Sequence, residues 1–160
     1  MWRAQLFEIG KAARFLGANS VGLTATPVNG ATRTVSLGFQ SEVQQAQAIQ
    51  ELQGALNASG ITDATIGVRG SSVTGSSYRT GAPFRPASDV DTFIESAQLT
   101  EGLSTSKKIP GFVHPDKIMD AYPLLGQWAT DWSKILGRDI TPGAFTLGNV
   151  PNHPAIIFKK

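Results

Sequence analysis

At 160 residues and 41% hydrophobic content, the chain has the size and composition of one ordinary globular domain with a continuous core. Its 14 Lys and Arg against 12 Asp and Glu are too evenly matched for a surface that coats nucleic acid by counterion release alone. It has no cysteine, which excludes a disulfide framework, a thiolate metal site, a cysteine nucleophile and redox chemistry of the chain.

Trp2, Leu6, Ile9, Ala13 and Leu16 recur at helical spacing and predict an amphipathic helix over 2–16 that stops near Gly17. From Val21 to Leu37 the pattern turns strand-like, and Asn29-Gly30 between "VGLTAT" and "ATRTVSL" predicts a hairpin. This helix and hairpin make an N-terminal extension over 1–40, and residues 41–160 make the main domain. Ser41 with Gln44 forms a capping box ahead of Val43, Ala46, Ile49, Leu52 and Leu56, so a helix over 42–57 is expected to end before Ser59-Gly60. "TIGVRG" reads as a strand with Ile66 and Val68 on one face, and the Ser/Gly/Thr cluster at 70–81 reads as loop.

In "SDVDTFI", Val90, Thr92 and Ile94 share one strand face while Asp89, Asp91 and Phe93 leave by the other. Ile118, Tyr122, Leu125, Ala129, Trp132 and Leu136 trace a helical stripe that restarts at Pro123 and closes at Gly137. Pro and Gly break the last apolar runs into short strands. The order gives an α+β (mixed α/β) fold, a small central sheet flanked by helices. His114 and His153 adjoin prolines with no second histidine at ligand spacing, and read as loop histidines rather than a zinc site. No apolar run reaches the roughly 18 residues of a membrane span, and no secretory segment opens the sequence, so a soluble chain is expected.

The chemistry concentrates in Asp89 and Asp91. Carboxylates at i and i+2 of a strand share a face, with roots about 6.5–7 Å apart and tips able to converge. Protonation of one, a cationic neighbour or a shared divalent metal relieves their repulsion, and hard oxygen ligands of this kind select Mg²⁺ or Mn²⁺. Arg69, Arg79 and Arg85 lie in the same segment, which keeps an ion-pair reading open. A calcium loop does not fit, because Phe93 and Ile94 fill the positions that need an oxygen ligand and a glycine. A P-loop does not fit either, since no Gly-x4-Gly-Lys-Ser/Thr occurs. Upstream, Gly70-Ser71-Ser72 follows an apolar strand as a tight turn whose N–H groups can hold phosphate oxygens if a helix begins there. The turn and the aspartate pair together supply a phosphate cradle and a charge-neutralising metal, both halves of phosphoryl chemistry.

"GSS" after a strand, followed by "SDVD" opening an apolar strand, resembles the signature of the polymerase-β-like nucleotidyltransferase superfamily. The fuller string "VRGSSVTGSSYRTGAPF" with "SDVD" is similar to a subgroup borne as C-terminal toxin domains of bacterial polymorphic toxins, of the filamentous-haemagglutinin and contact-dependent-inhibition types. The resemblance spans residues 60–95 and, more loosely, 116–160 through "LGRDI" and "PAIIF"; residues 1–40 lie outside it. It implies that Gly70, Ser71, Ser72 and Ser88 bind a nucleoside triphosphate and that Asp89 and Asp91 ligate Mg²⁺ (or Mn²⁺). Arg79, in the connecting loop, adds a candidate phosphate contact. The superfamily commonly carries a third carboxylate on a later strand, for which this chain offers Asp139, so Asp89, Asp91 and Asp139 form the expected catalytic set. Glu95 shares the aspartate face but sits four residues beyond Asp91.

The implied activity is nucleotidyl transfer to a hydroxyl of RNA, such as tRNA, or of protein. Such a chain would be delivered as part of a larger secreted protein, would act in the cytoplasm of a target bacterium, and would be masked in its producer by a cognate immunity protein. Two other readings stay open: an Asp-x-Asp glycosyltransferase that holds a nucleotide sugar through Mn²⁺, and a non-catalytic interaction domain whose aspartates pair with arginines.

Overall fold

The computed structural model describes residues 22–77 and 79–160, so the helix expected over 2–16 lies outside the described residues. In chain order the elements are β1 (Thr24–Val28), α1 (Glu42–Ala58), β2 (Thr65–Arg69), α2 (Ser71–Thr74), β3 (Val90–Glu95), α3 (Ala97–Thr100), β4 (Phe112–Val113), α4 (Pro115–Ala121), α5 (Pro123–Leu136), β5 (Ile140–Phe145) and β6 (Ala155–Lys159). The strands form one sheet in the order β1-β6-β2-β3-β5-β4. β3 and β5 run parallel and the other neighbours antiparallel, giving the mixed α+β fold that the element order predicts.

α1 starts where capping dictates. Ser41 Oγ accepts the Gln44 N–H at 3.1 Å, and the Gln44 side chain reaches back to accept the Gln40 N–H at 2.7 Å, one residue earlier than in the standard box. Ala48, Ile49, Leu52 and Leu56 face inward, but Val43, expected on that stripe, is 74% exposed. Gln45 is buried in its place, and its amide accepts the Ser36 N–H and donates to the Thr34 carbonyl, both at 2.8 Å.

Those bonds account for a correction to the expected hairpin. Asn29 (φ 55) and Gly30 (φ 90) do turn the chain, but residues 31–37 form no strand. Their backbone groups are engaged elsewhere: Thr34 and Ser36 bond Gln45, and the Leu37 N–H donates to the Ser72 carbonyl at 2.8 Å. β1 instead pairs with the C-terminal strand β6.

α4 and α5 break at Pro123, which lacks the N–H needed to continue a helix, and Gly137 (φ 69) closes α5. Trp128 and Trp132 of α5 turn toward α1, where their Nε1–H groups donate to the Ala48 carbonyl at 2.9 Å and to Glu51 Oε1 at 3.1 Å. With the indole N–H satisfied, both rings can bury their large apolar area.

The sheet therefore has one heavily covered face, where Ile66, Val68, Val90, Ile94, Ile140 and Ile156 pack with the helices. The other face carries a smaller cluster around Phe93, Phe145 and Ala155. The Phe93 ring lies over Gly67, where a Cβ would come within 2.3 Å of it, so this face tolerates no side chain at that position without moving the ring. Asp89 and Asp91 belong to this lightly covered face. No helix among the described residues is long and apolar enough to cross a membrane.

Candidate functional site

The register of β2 against β3 builds the site. Arg69, the last residue of β2, stands opposite Asp91, the second residue of β3. The chain then passes through Gly70 at φ 88 and ψ −158 into the short helix α2. Any other residue would be strained at that φ, and a Cβ there would lie 3.0 Å from Asp91 Oδ2. The glycine thus lets the backbone turn directly beside a carboxylate. The first N–H groups of the α2 turn have no intrahelical partner.

Two adjoining clefts open at this point, and Arg69 and Asp91 line both. The first, about 280 Å³, is bordered by Gly70, Ser71, Thr74, Ser77, Arg79 and His153, a basic and hydroxyl-rich wall. The second, about 410 Å³, is bordered by Asp89, Phe112, His114, Asp116 and Thr141 and has an acidic, partly aromatic wall. His114 caps α4, its Nδ1 accepting the Asp116 N–H at 3.1 Å. In the neutral imidazole that bond leaves the proton on Nε2, so His114 presents a donor rather than a base.

Asp91 keeps a path to solvent, but the protein packed around its carboxyl raises its pKa above the ordinary value. The like charge of Asp89 pushes in the same direction, and Arg69 opposes both. Arg69 is lowered by burial and pulled back up by Asp91. Among the described residues, neither aspartate has a Lys, Arg or His nitrogen within 4.0 Å of its carboxylate.

A carboxyl whose pKa is raised by folding favours the fold below its unfolded pKa and loses that contribution as pH climbs through the folded value. Asp91→Asn preserves volume and removes the ionisation penalty. Its melting temperature at neutral pH, without metal, is therefore expected to equal or exceed that of the wild type, with the gap closing in acid. Melts across a pH series check this. Marked destabilisation at neutral pH would identify a structural ion pair instead.

Of the residues expected at the site, Gly70, Ser71, Arg79, Asp89 and Asp91 line the clefts. Ser72, Ser88 and Asp139 do not. Ser72 is fully buried, and its hydroxyl has no hydrogen-bond partner. Ser88 Oγ accepts the Arg85 N–H at 2.9 Å, which closes the turn ahead of β3. Asp139 is exposed just before β5; its carbonyl accepts the Val90 N–H at 2.9 Å, and Thr141 rather than Asp139 stands opposite Asp91. Glu95 accepts the Gly148 N–H at 2.7 Å, away from both clefts.

Arg69, Thr74, Ser77, His114, Asp116, Thr141 and His153 are cleft residues that the motif did not indicate. Of these, Arg69 carried a sequence signal as one of the arginines that could pair with the aspartates. Among the described residues no group of three or more His, Asp and Glu side chains gathers as a metal site. No family model, no curated protein and no solved structure matches this chain.

Proposed function

We propose that the chain is a metal-dependent nucleotidyltransferase that moves a nucleotidyl group from a nucleoside triphosphate to an acceptor hydroxyl of RNA or protein. In this proposal it is the toxin domain of a larger bacterial protein, acts in the cytoplasm of a target cell, and is held inactive in its producer by an immunity protein. The observation that carries the enzymatic reading is the approach of Gly70 to Asp91: the space a Cβ would fill, 3.0 Å from Oδ2, stays open where a phosphate and a cation must share one carboxylate.

The donor set fits Mg²⁺ or Mn²⁺, because two hard carboxylates make a weak site that phosphate oxygens can complete. Asp89 and Asp91 would hold the ion, which when bound neutralises phosphate charge at the reacting phosphorus. Ser71, Thr74 and Arg79 give the first cleft the donors a triphosphate needs, and the second cleft would admit the acceptor past Phe112 and His114.

Melting in the presence of ligand tests the proposal. A nucleoside triphosphate with millimolar Mg²⁺ is expected to raise the melting temperature, by about 2.7 kcal/mol of stability at a hundredfold excess over Kd, and Mg²⁺ alone to do little. A shift with a sugar diphosphate and Mn²⁺ instead would identify a glycosyltransferase. No shift with either would leave a non-catalytic domain, and an equal shift with metal alone would reveal a structural cation.

A further inference from the structure

Resting on the nucleotidyltransferase reading, we propose that Arg69 is a catalytic residue whose guanidinium meets the transferring phosphoryl group where the two clefts join. There it would supply charge stabilisation that a second divalent cation provides in two-metal sites.

Position is the first argument. The acceptor and the triphosphate must meet at a point common to both clefts, and the residues common to both are Arg69 and Asp91. Asp91 is committed to the cation. Arg69 stands opposite it in the β2–β3 register and immediately before Gly70, within one residue of the phosphate turn.

The state of its donors is the second. Among the described residues the Arg69 guanidinium makes no hydrogen bond and has no carboxylate within 4.0 Å. Its Cζ lies over the Phe145 ring, 5.3 Å from the centroid, a contact that uses none of its N–H groups. Arg138 shows the contrasting structural use of an arginine: its Nη1 donates to the Arg85 and Ser88 carbonyls at 2.9 and 3.0 Å and ties down the loop before β3. No Arg69 nitrogen is both buried and unpartnered, so its donors face the open clefts, where a phosphate can take the place of water on them.

The third argument is the poverty of the acidic set. Asp116 borders the same cleft as Asp89 and Asp91, but among the described residues no three acidic or histidine side chains gather closely enough to hold an ion together, so the β3 pair would hold one cation rather than the two that clamp both the attacking and the leaving oxygen. A planar guanidinium can bridge two phosphate oxygens at once, which a lysine ammonium cannot. In the step itself, the acceptor oxygen bonds to the α-phosphorus as the bond from that phosphorus to the bridging oxygen breaks. Pyrophosphate leaves with the electron pair, the acceptor proton passes to solvent, and Arg69 stays protonated throughout.

The test compares wild type with Arg69→Met, which keeps a stem packed on Phe145, and with Arg69→Lys, which keeps the charge. Each is incubated with Mg²⁺, nucleoside triphosphates labelled at the α-phosphorus, and the RNA and protein of a bacterial lysate. Arg69→Met is expected to lower turnover about 10³-fold, the lower end of what a transition-state arginine supplies, and Arg69→Lys at least about tenfold. Nucleotide affinity, read from the Mg²⁺-dependent melting shift, is expected to stay within about threefold, because the contact strengthens only as charge develops in transfer. Turnover by both variants within about threefold of wild type, or a loss confined to nucleotide affinity, overturns the role of Arg69 and leaves the enzymatic reading standing. Absence of transfer by the wild type itself overturns both.

Discussion

Asp89→Ala and Asp91→Ala are each expected to reduce nucleotide transfer by about 10³-fold or more, and the double variant by little beyond either single one, because groups that hold one cation act as a unit. The Mg²⁺-dependent melting shift with nucleoside triphosphate is expected to vanish in all three. The fold should survive, since Asp89 and Asp91 face clefts rather than core. Asp139→Ala provides the contrast. The residue lines neither cleft and Thr141 occupies the place beside Asp91, so its activity is expected to stay within about threefold of wild type. Incorporation of label from α-labelled triphosphate measures all four variants. A loss in Asp139→Ala as deep as that in Asp91→Ala would show that a third carboxylate does complete the site.

What the sequence made legible is local, and the reasons are local. Alternation in "SDVDTFI" puts Asp91 and Phe93 on one face because a strand has a side-chain period of two, and the structure has Phe93 in the minor cluster and Val90 and Ile94 in the main core. Ser41 announces α1 because a cap is a contact between near neighbours. The errors arise where distant chain decides. β1 pairs with β6 rather than with residues 31–37, and no pattern within those residues could indicate that Gln45 and Ser72 would take their backbone groups.

The same division runs through the site. Ser71 and Ser72 look equivalent in "GSS", but in a helical turn successive side chains point about 100° apart, so one faces the cleft and the other the core. Phe112, His114 and Asp116 reach the second cleft because β4 pairs with β5, and β5 lies beside β3, a relation invisible to motif spacing. Asp139 has the right residue type beside β3, where its carbonyl accepts the Val90 N–H, but it lines neither cleft. Arg69 was legible only as a possible ion-pair partner. Its opposition to Asp91 without close contact depends on the β2–β3 register and on the ring of Phe145 beneath it.

Expression of the chain inside a bacterium is expected to arrest growth at low levels, and the arrest to disappear in Asp89→Ala and Asp91→Ala. The expectation comes from the chemistry proposed above joined to the resemblance of "VRGSSVTGSSYRTGAPF" and "SDVD" to toxin-borne domains. Capping an essential RNA or protein hydroxyl with a nucleotide removes that molecule from use in one turnover, so a few enzyme copies working at an ordinary rate of about 10 per second can outpace synthesis of a scarce acceptor. Both requirements, nucleoside triphosphate and Mg²⁺, are met in the cytoplasm. Arrest should therefore coincide with labelled nucleotide on a discrete RNA or protein band, and the band, isolated from arrested cells, identifies the acceptor. Arg69→Met places an intermediate point on the same scale: if chemistry rather than binding causes the damage, its arrest should require far higher expression than that of the wild type, while its protein level and melting temperature stay close to normal. A wild-type chain that is harmless at high expression, or an Asp89→Ala/Asp91→Ala double variant as toxic as the wild type, would sink the toxin proposal, because damage that survives loss of both aspartates cannot depend on the site they form.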